Sequence, residues 1–136
     1  MRFTKMGYLV AAITVVVMLA FYVRRAPVAP KLDVPQVAAD TELAGGFIAV
    51  RPFDGNADDL IARITQIALA TPRTQKLSDN PLQFVTRSRV VGFPDVTSVD
   101  IQDGVMLIHA HLVYGKFDMG VNKARVLDWL DRLGPL

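Results

Sequence analysis

Apolar residues follow three patterns along this chain: one continuous run, two helical stripes and several alternating segments. The continuous run occupies residues 6–23, MGYLVAAITVVVMLAFYV, and contains no charged side chain. A helix crosses the hydrocarbon core of a bilayer with about 17–25 residues, so this run is long enough to span. It exceeds the apolar region of about 7–15 residues in a cleaved signal peptide, and Arg24 and Arg25 follow it directly. The pattern predicts a transmembrane anchor at residues 1–25.

The next segment, residues 26–46, combines prolines with small residues. Pro27, Pro30 and Pro35 lie among alanines and valines, and two glycines close the segment. Proline-rich spacers are extended and semi-rigid. We therefore expect a linker here, followed by a soluble domain at residues 47–136.

Two segments of the soluble domain carry apolar residues at the spacing of an amphipathic helix. The first runs from a cap at Asn56 to Thr71. The second has Asp118 as its cap and runs from about Met119 to Leu133. Their apolar stripes consist of Leu60, Ile61, Ile64, Ile67 and Ala68 in the first helix and Val126, Trp129, Leu130 and Leu133 in the second.

Short apolar or alternating segments predict the first two strands. Residues 47–51 and 82–91 are the candidates, and the polar, turn-rich residues 73–81 between the first helix and the second strand predict a loop. Because side chains alternate between the faces of a strand, Arg87 and Arg89 fall on the same face if the second strand continues to residue 91.

The strongest strand signal is a hairpin formed by residues 96–102 and 105–113. They flank Asp103-Gly104, a dipeptide preferred in two-residue type I′ turns. That turn pairs Gln102 with Val105 and sets the register of every residue outward from there.

The predicted order is strand, helix, strand, strand, strand, helix. Two amphipathic helices pack naturally on one face of a small antiparallel sheet. One face of the hairpin is apolar and the other mixed, which is typical of a sheet covered on a single side. We expect an α+β domain with one uncovered sheet face, preceded by a single transmembrane helix.

Two segments are dense in glycine, arginine and other polar residues: TRSRVVGFPDVTSV at residues 86–99 and YGKFDMGVNKARV at residues 114–126. Together they resemble the bacterial and plastid family called domain of unknown function 1499, over roughly residues 58–133. The resemblance implies a fold and a tendency to an envelope or lumenal location, but no activity. Relatives carry serine and arginine where this chain has HAHLV at residues 109–113, so an anion-binding role of those arginines does not transfer. The matching positions are Arg87, Ser88, Phe93, Asp95, Gly115, Asp118, Gly120, Asn122 and Arg125.

These two segments and the hairpin supply the candidate ligand surface. A structural interpretation makes Asp118 a helix cap and pairs Arg125 with Asp128 or Asp95. A functional interpretation places an anion at the helix start, where N–H groups and the helix dipole favour negative charge. Guanidinium groups would complete that pocket, because they bind carboxylate or phosphate bidentately. The candidate ligand-binding residues are Arg87, Arg89, His109, His111, Asp118, Asn122 and Arg125.

Catalytic and metal chemistry have weaker support. His109 and His111 share a face of their strand, which permits joint metal ligation with Asp100. Zinc sites usually need three or four ligands and the chain has no cysteine, so two imidazoles on a solvated sheet face are the simpler interpretation. Ser98 opposite His109 resembles part of a catalytic triad, but a flat strand pair lacks an oxyanion hole. We assign no catalytic residue, no metal ligand and no cofactor.

Charge bears on location more than on chemistry. The net charge of +2 is too small to indicate nucleic-acid binding. Arg2 and Lys5 precede the apolar run, and Arg24, Arg25 and Lys31 follow it, so the Lys/Arg bias that orients a membrane helix nearly cancels. The lack of cysteine suits either compartment.

The sequence as a whole predicts a membrane-tethered binding or accessory module of the cell envelope. Its expected partners are the lipid bilayer, through residues 6–23, and an unidentified envelope protein or small anionic ligand. The resemblance favours the inner membrane with the soluble domain in the periplasm. The alternative is a hydrolase or metal-dependent enzyme that uses His109, His111 and Asp118. A deep pocket around those three residues would favour the enzyme, and a flat exposed sheet would favour the module.

Overall fold

The computed structural model describes residues 5–30 and 34–136, which form three helices and six strands. Arg2 and Lys31, whose charges enter the orientation argument, lie outside the described residues, as do residues 1–4 of the predicted anchor. The helices are α1 (Lys5–Arg25), α2 (Ala57–Ala70) and α3 (Val121–Leu133). The strands are β1 (Thr41–Leu43), β2 (Gly46–Pro52), β3 (Thr74–Asp79), β4 (Leu82–Arg87), β5 (Pro94–Gln102) and β6 (Val105–Leu112).

All six strands pair antiparallel in one sheet, in the order β1-β2-β6-β5-β4-β3. The β5–β6 hairpin has the predicted register, with Gln102 opposite Val105 and Val96 opposite His111. Asp103 has a φ of 50° and the following glycine a φ of 73°, as a type I′ turn requires. The α+β class and the hairpin are therefore confirmed.

The predicted order of elements is partly wrong, because two strands were missed. The segment predicted as a loop contains β3, and β1 lies within the predicted linker. A bulge between Lys76 and Ser78 shifts the pairing of β3 with β4, so the alternation that identifies a strand is interrupted. With only three residues, β1 is too short to show any period. Neither strand had a sequence signal strong enough to oppose its polar, turn-forming composition.

The strand β4 ends at Arg87, four residues before the predicted end. The Ser88 hydroxyl accepts hydrogen bonds from the N–H groups of Gly92 and Phe93, both at 3.0 Å. The Ser88 N–H donates to the Phe93 carbonyl at 2.9 Å, which closes a turn. Arg89 consequently lies in this turn and not on the sheet.

The hydrophobic core lies between α2, α3 and one face of the sheet. Trp129 is fully buried and packs edge-on against Phe84, with 5.8 Å between ring centroids. Its indole N–H donates to the Thr71 hydroxyl at 2.9 Å, so the one polar atom of the ring is satisfied. Ile108 and Ala110 belong to this core, so the apolar face of the hairpin meets the helices as predicted.

The helix α2 begins as predicted, whereas α3 begins later. The Asn56 side chain accepts from the first free N–H groups of α2, at 2.8 and 3.1 Å. The predicted start of the last helix, Met119, has a φ of 52°, and Gly120 has a φ of 79°. Two successive residues in the left-handed region cannot continue a right-handed helix, so α3 starts at Val121.

The second face of the sheet is covered, so the expectation of an uncovered face is wrong. Described residues between α1 and β1 lie on this side: the Gln36 amide donates to Asp100 at 3.3 Å, and Pro27–Ala29 line a cleft together with His111 and neighbouring residues. Five residues of this face are at most 3% exposed: Ile48, Gln83, Val96, Ser98 and His109.

Candidate functional site

The two histidines do not form an open surface. His109 is 3% exposed, and its ring centroid lies 4.8 Å from that of His111. His111 Nδ1 shares a hydrogen bond with the Leu112 carbonyl at 2.9 Å. His111 lines a cleft with Pro27–Ala29, whereas Asp118 lines another cleft beside β1. The deep pocket around His109, His111 and Asp118 that the enzyme alternative requires is therefore not supported.

The residues around the histidines are engaged in other contacts. The Ser98 hydroxyl accepts from the Gln83 amide at 2.9 Å. The Asp100 carboxylate accepts from the amides of Gln36 and Gln102, at 3.1–3.3 Å. Among residues 5–30 and 34–136, no group of three or more histidine, aspartate or glutamate side chains is arranged to hold a metal ion.

The segment before α3 forms an internal hydrogen-bond network. The Asp118 carboxylate accepts from the N–H groups of Gly120 and Asn122, at 3.1 and 2.8 Å. Arg125 donates to the Asn122 side-chain oxygen at 2.7 Å and to the Asp95 carboxylate at 3.0 Å. Three of the candidate ligand residues thus bind one another, and Asp118 occupies the N–H groups that an anion would need. Of the two partners predicted for Arg125, Asp128 and Asp95, the structure has Asp95.

The carboxylates of this network have opposite pKa shifts. Burial raises the pKa of Asp95, although the hydrogen bond and charge of Arg125 oppose the rise. At Asp118 partial burial also disfavours the charge, but the N–H groups of Asn122 and Gly120 outweigh it and lower the pKa. The side chains of Asp95 and Arg125 are 12% and 10% exposed, so this ion pair is largely desolvated.

A different cleft gathers positive charge at the end of α1. It encloses about 430 Å³ between the first residues of β3, the end of β4 and the last turn of α1. Among the described residues, its lining includes four arginines and no carboxylate. We call it the arginine cleft, and its charged residues are Arg24, Arg73, Arg87 and Arg89.

Arg87 attaches α1 to the domain. Its guanidinium donates to the carbonyls of Val23 and Ala26, at 2.9 and 2.8 Å, and to that of Gly92 at 3.2 Å. The last carbonyls of a helix have no partner within the helix, so a side chain from the sheet supplies one here. Arg87, a candidate ligand residue, is therefore largely committed to a structural contact.

Arg24 also lines the arginine cleft. It donates to the Val90 carbonyl and lies directly over Gly92. Gly92 has a φ of 82°, and a side chain there would collide with the Arg24 Cγ atom. Only glycine accommodates both the backbone conformation and this close approach.

The remaining two arginines leave donors for a ligand. Arg73 is exposed and uses its Nε to donate to the Arg87 carbonyl at 3.0 Å. Arg89 is also exposed and makes no hydrogen bond or ion pair within the described part of the chain. Sequence reasoning found Arg87 and Arg89 but missed Arg73, which lies in the segment predicted as a loop. The sequence pattern marks Arg24 only as a flank of the apolar run.

Comparison with known families gives one match. The family described as "Protein of unknown function (DUF1499)" matches residues 28–133. The matched range includes described residues that pack on the second face of the sheet, and it excludes α1. No curated protein matches the chain.

Proposed function

Because this chain belongs to the DUF1499 family of proteins of unknown function, we propose its role from its own surface: a membrane-tethered module that binds an anionic group in the arginine cleft. The expected ligand carries a phosphate or a carboxylate. The module would act in the cell envelope, with α1 in the inner membrane and the domain in the periplasm.

The anchor part of this proposal is supported by α1. This helix has 21 residues, is long and apolar enough to cross a membrane, and buries none of its residues against the domain. Exposing apolar surface to water costs about 25 cal/mol per Å². A helix of this composition is therefore far more stable in a bilayer than in water.

The binding part is carried by one observation: within the described part of the chain, four arginines and no carboxylate residue line one cleft. Like charges held close together repel, and an anion between them removes that cost. Guanidinium groups also match the oxygens of phosphate and carboxylate with paired hydrogen bonds. The cleft volume of about 430 Å³ lies within the range of about 300–1,000 Å³ found for small-molecule sites.

The test uses the full chain in nanodiscs of neutral phosphatidylcholine, titrated calorimetrically with inorganic phosphate. We expect saturable binding that weakens about tenfold in Arg89→Gln and in Arg73→Gln, because each loses a charge-assisted hydrogen bond. Arg132→Gln is the matched control, since it removes the same charge from an exposed arginine of α3 that does not line the cleft. Arg87 is left intact because its loss would also release α1.

A competition experiment identifies the source of the anion, and two outcomes would contradict the proposal. If the natural ligand is a lipid headgroup, phosphatidylglycerol in the nanodisc will compete with phosphate and remove its heat of binding. Absence of saturable binding in neutral discs, or equal weakening in Arg132→Gln and Arg89→Gln, would overturn the arginine cleft as a site.

A further inference from the structure

One end of the sheet carries both α1 and most of the exposed apolar side chains. At this end β1, β4 and β6 stop and β2, β3 and β5 begin, as the pairs Leu43–Gly46, His111–Val96 and Thr86–Thr74 show. We call it the anchor end. The turns at residues 88–93 and 113–120 lie there, because they connect β4 to β5 and β6 to α3.

Exposed apolar residues are concentrated at the anchor end. Outside α1, the described residues include eleven large apolar side chains that are exposed. Ile61, Leu69 and Leu127 lie within α2 and α3, and Val121 is the first residue of α3. Isolated exposed apolar residues are ordinary, but a contiguous group usually marks a binding surface. Met119 is 97% exposed and Phe117 is 75% exposed. The eight at the anchor end are Leu43, Val90, Phe93, Val113, Tyr114, Phe117, Met119 and Val121.

The attachment of α1 indicates what covers these residues. Arg24 and Ala26 already contact the domain, through the Val90 carbonyl and through Arg87. The end of α1 therefore contacts the domain directly. If α1 crosses a bilayer, the anchor end has to lie at the bilayer surface.

The composition of the anchor end fits that position. Phe93 and Tyr114 pack against each other with 6.3 Å between centroids, and both remain partly exposed. Aromatic rings favour the interface between water and lipid, and Lys and Arg side chains attract anionic headgroups. Arg25, Arg89 and Lys116 are exposed at the same end.

We infer that the anchor end docks on the lipid surface, with the 88–93 and 113–120 turns inserted at the boundary between headgroups and acyl chains. This inference rests on the proposed insertion of α1, and it is independent of whether the arginine cleft holds a ligand. The surface on which the anchor end docks is that of the same bilayer that contains α1. The domain would then lie against the membrane and would not project from it on a flexible tether.

The absence of cysteine from the chain makes a site-specific test possible. Single variants Met119→Cys and Phe117→Cys would carry an environment-sensitive fluorophore in the full chain, reconstituted in phosphatidylcholine–phosphatidylglycerol liposomes. Gly55→Cys is the matched control, because a side chain at Gly55 meets no atom within 4 Å. Gly55 lies two residues after Phe53, and the Phe53 N–H donates to the Gly104 carbonyl in the β5–β6 turn. Gly55 is therefore at the end of the sheet opposite the anchor end.

We expect a lipid carrying a nitroxide near its headgroup to quench the labels at residues 117 and 119 several-fold more than the label at residue 55. Aqueous iodide should show the reverse order. Equal, weak quenching by the nitroxide lipid at all three positions, in protein that floats with liposomes, would overturn docking and leave the anchor intact. Failure to float would overturn the anchor and the docking together.

Discussion

At the residue scale, the same side chains identified by the sequence have different roles in the structure. Asp118 satisfies an N–H of the first turn of α3, but from two residues before the capping position, which Gly120 occupies. Arg125 binds the buried Asp95, and Arg87 binds α1. Arginine is suited both to binding an anion and to donating hydrogen bonds to the free carbonyls at the end of a helix, because both interactions are charge-assisted hydrogen bonds.

Asp118 provides a prediction on stability and pH. Each of its oxygens accepts one N–H, and an asparagine has only one acceptor oxygen. Asp118→Asn should therefore lower the free energy of unfolding by about 0.5–1.5 kcal/mol at neutral pH. The pKa of Asp118 is lowered on folding, so its contribution is present above the unfolded pKa and is lost as pH falls through the folded pKa.

Thermal unfolding of the full chain in detergent, at pH 7 and at about pH 2, measures the contribution of Asp118 to stability. Carboxylates that are hydrogen-bonded in the folded state lose their stabilising contribution over that pH range. The difference between the wild type and Asp118→Asn should be largest at pH 7 and should shrink in acid. Asp128→Asn is the control, since its ion pair with Arg132 is exposed and worth little. Equal melting temperatures of Asp118→Asn and wild type at pH 7 would contradict the predicted role.

At the element scale, β2 depends on a glycine for its pairing. Gly46 lies opposite both Leu43 and His111. A Cβ there would collide with the Ala110 carbonyl oxygen and lie 3.1 Å from the His111 Cα. Both are backbone atoms of the neighbouring strand and cannot rotate away.

We expect Gly46→Ala to destabilise the fold by about 1–3 kcal/mol, the usual cost of forcing an extra methyl into a packed region. Gly55→Ala, whose added methyl meets open space, should be neutral or slightly stabilising through the unfolded chain. Chemical denaturation of the two variants measures the difference. A loss in Gly46→Ala no larger than that in Gly55→Ala would show that β2 moves away from β6 without cost.

The elements also show how far local patterns reach. The Asn56 cap of α2, the Asp103-Gly104 hairpin and the buried stripe of α2 follow from residues a few positions apart and were predicted, except that Ile61 of the predicted stripe is exposed. The strand β3 was missed because its bulge interrupts the alternation. The prolines before β1 predict an extended spacer, and the contact of Gln36 with Asp100 shows that described residues of this segment also reach the sheet.

At the scale of the whole molecule, the end of α1 contacts the domain directly. The orientation of α1 in a membrane would therefore determine which side of that membrane the arginine cleft faces. A periplasmic domain would encounter the outer leaflet of the inner membrane, and a cytoplasmic one the inner leaflet. The charges that flank α1 nearly cancel, so the orientation follows from the family resemblance and remains a prediction.

A carboxyl-terminal fusion to alkaline phosphatase, expressed in a bacterial host, tests this orientation. We expect an active enzyme, because this phosphatase needs disulfides that form outside the cytoplasm. A parallel fusion to a fluorescent protein that folds only in the cytoplasm should be dark. Fluorescence together with an inactive phosphatase would reverse the orientation.

The sequence by itself determined the apolar helix, the α+β class, the hairpin register and the family. These properties depend on periodicity, turn residues and motifs, which act over a few neighbouring positions. Only the tertiary structure decided that the second sheet face is covered and that four arginines converge where α1 meets the sheet. The first feature depends on pairs such as Gln36 with Asp100, and the second on pairs such as Arg87 with Val23, each 64 positions apart. No local pattern encodes such contacts, because they form only when packing of the whole chain brings distant side chains together.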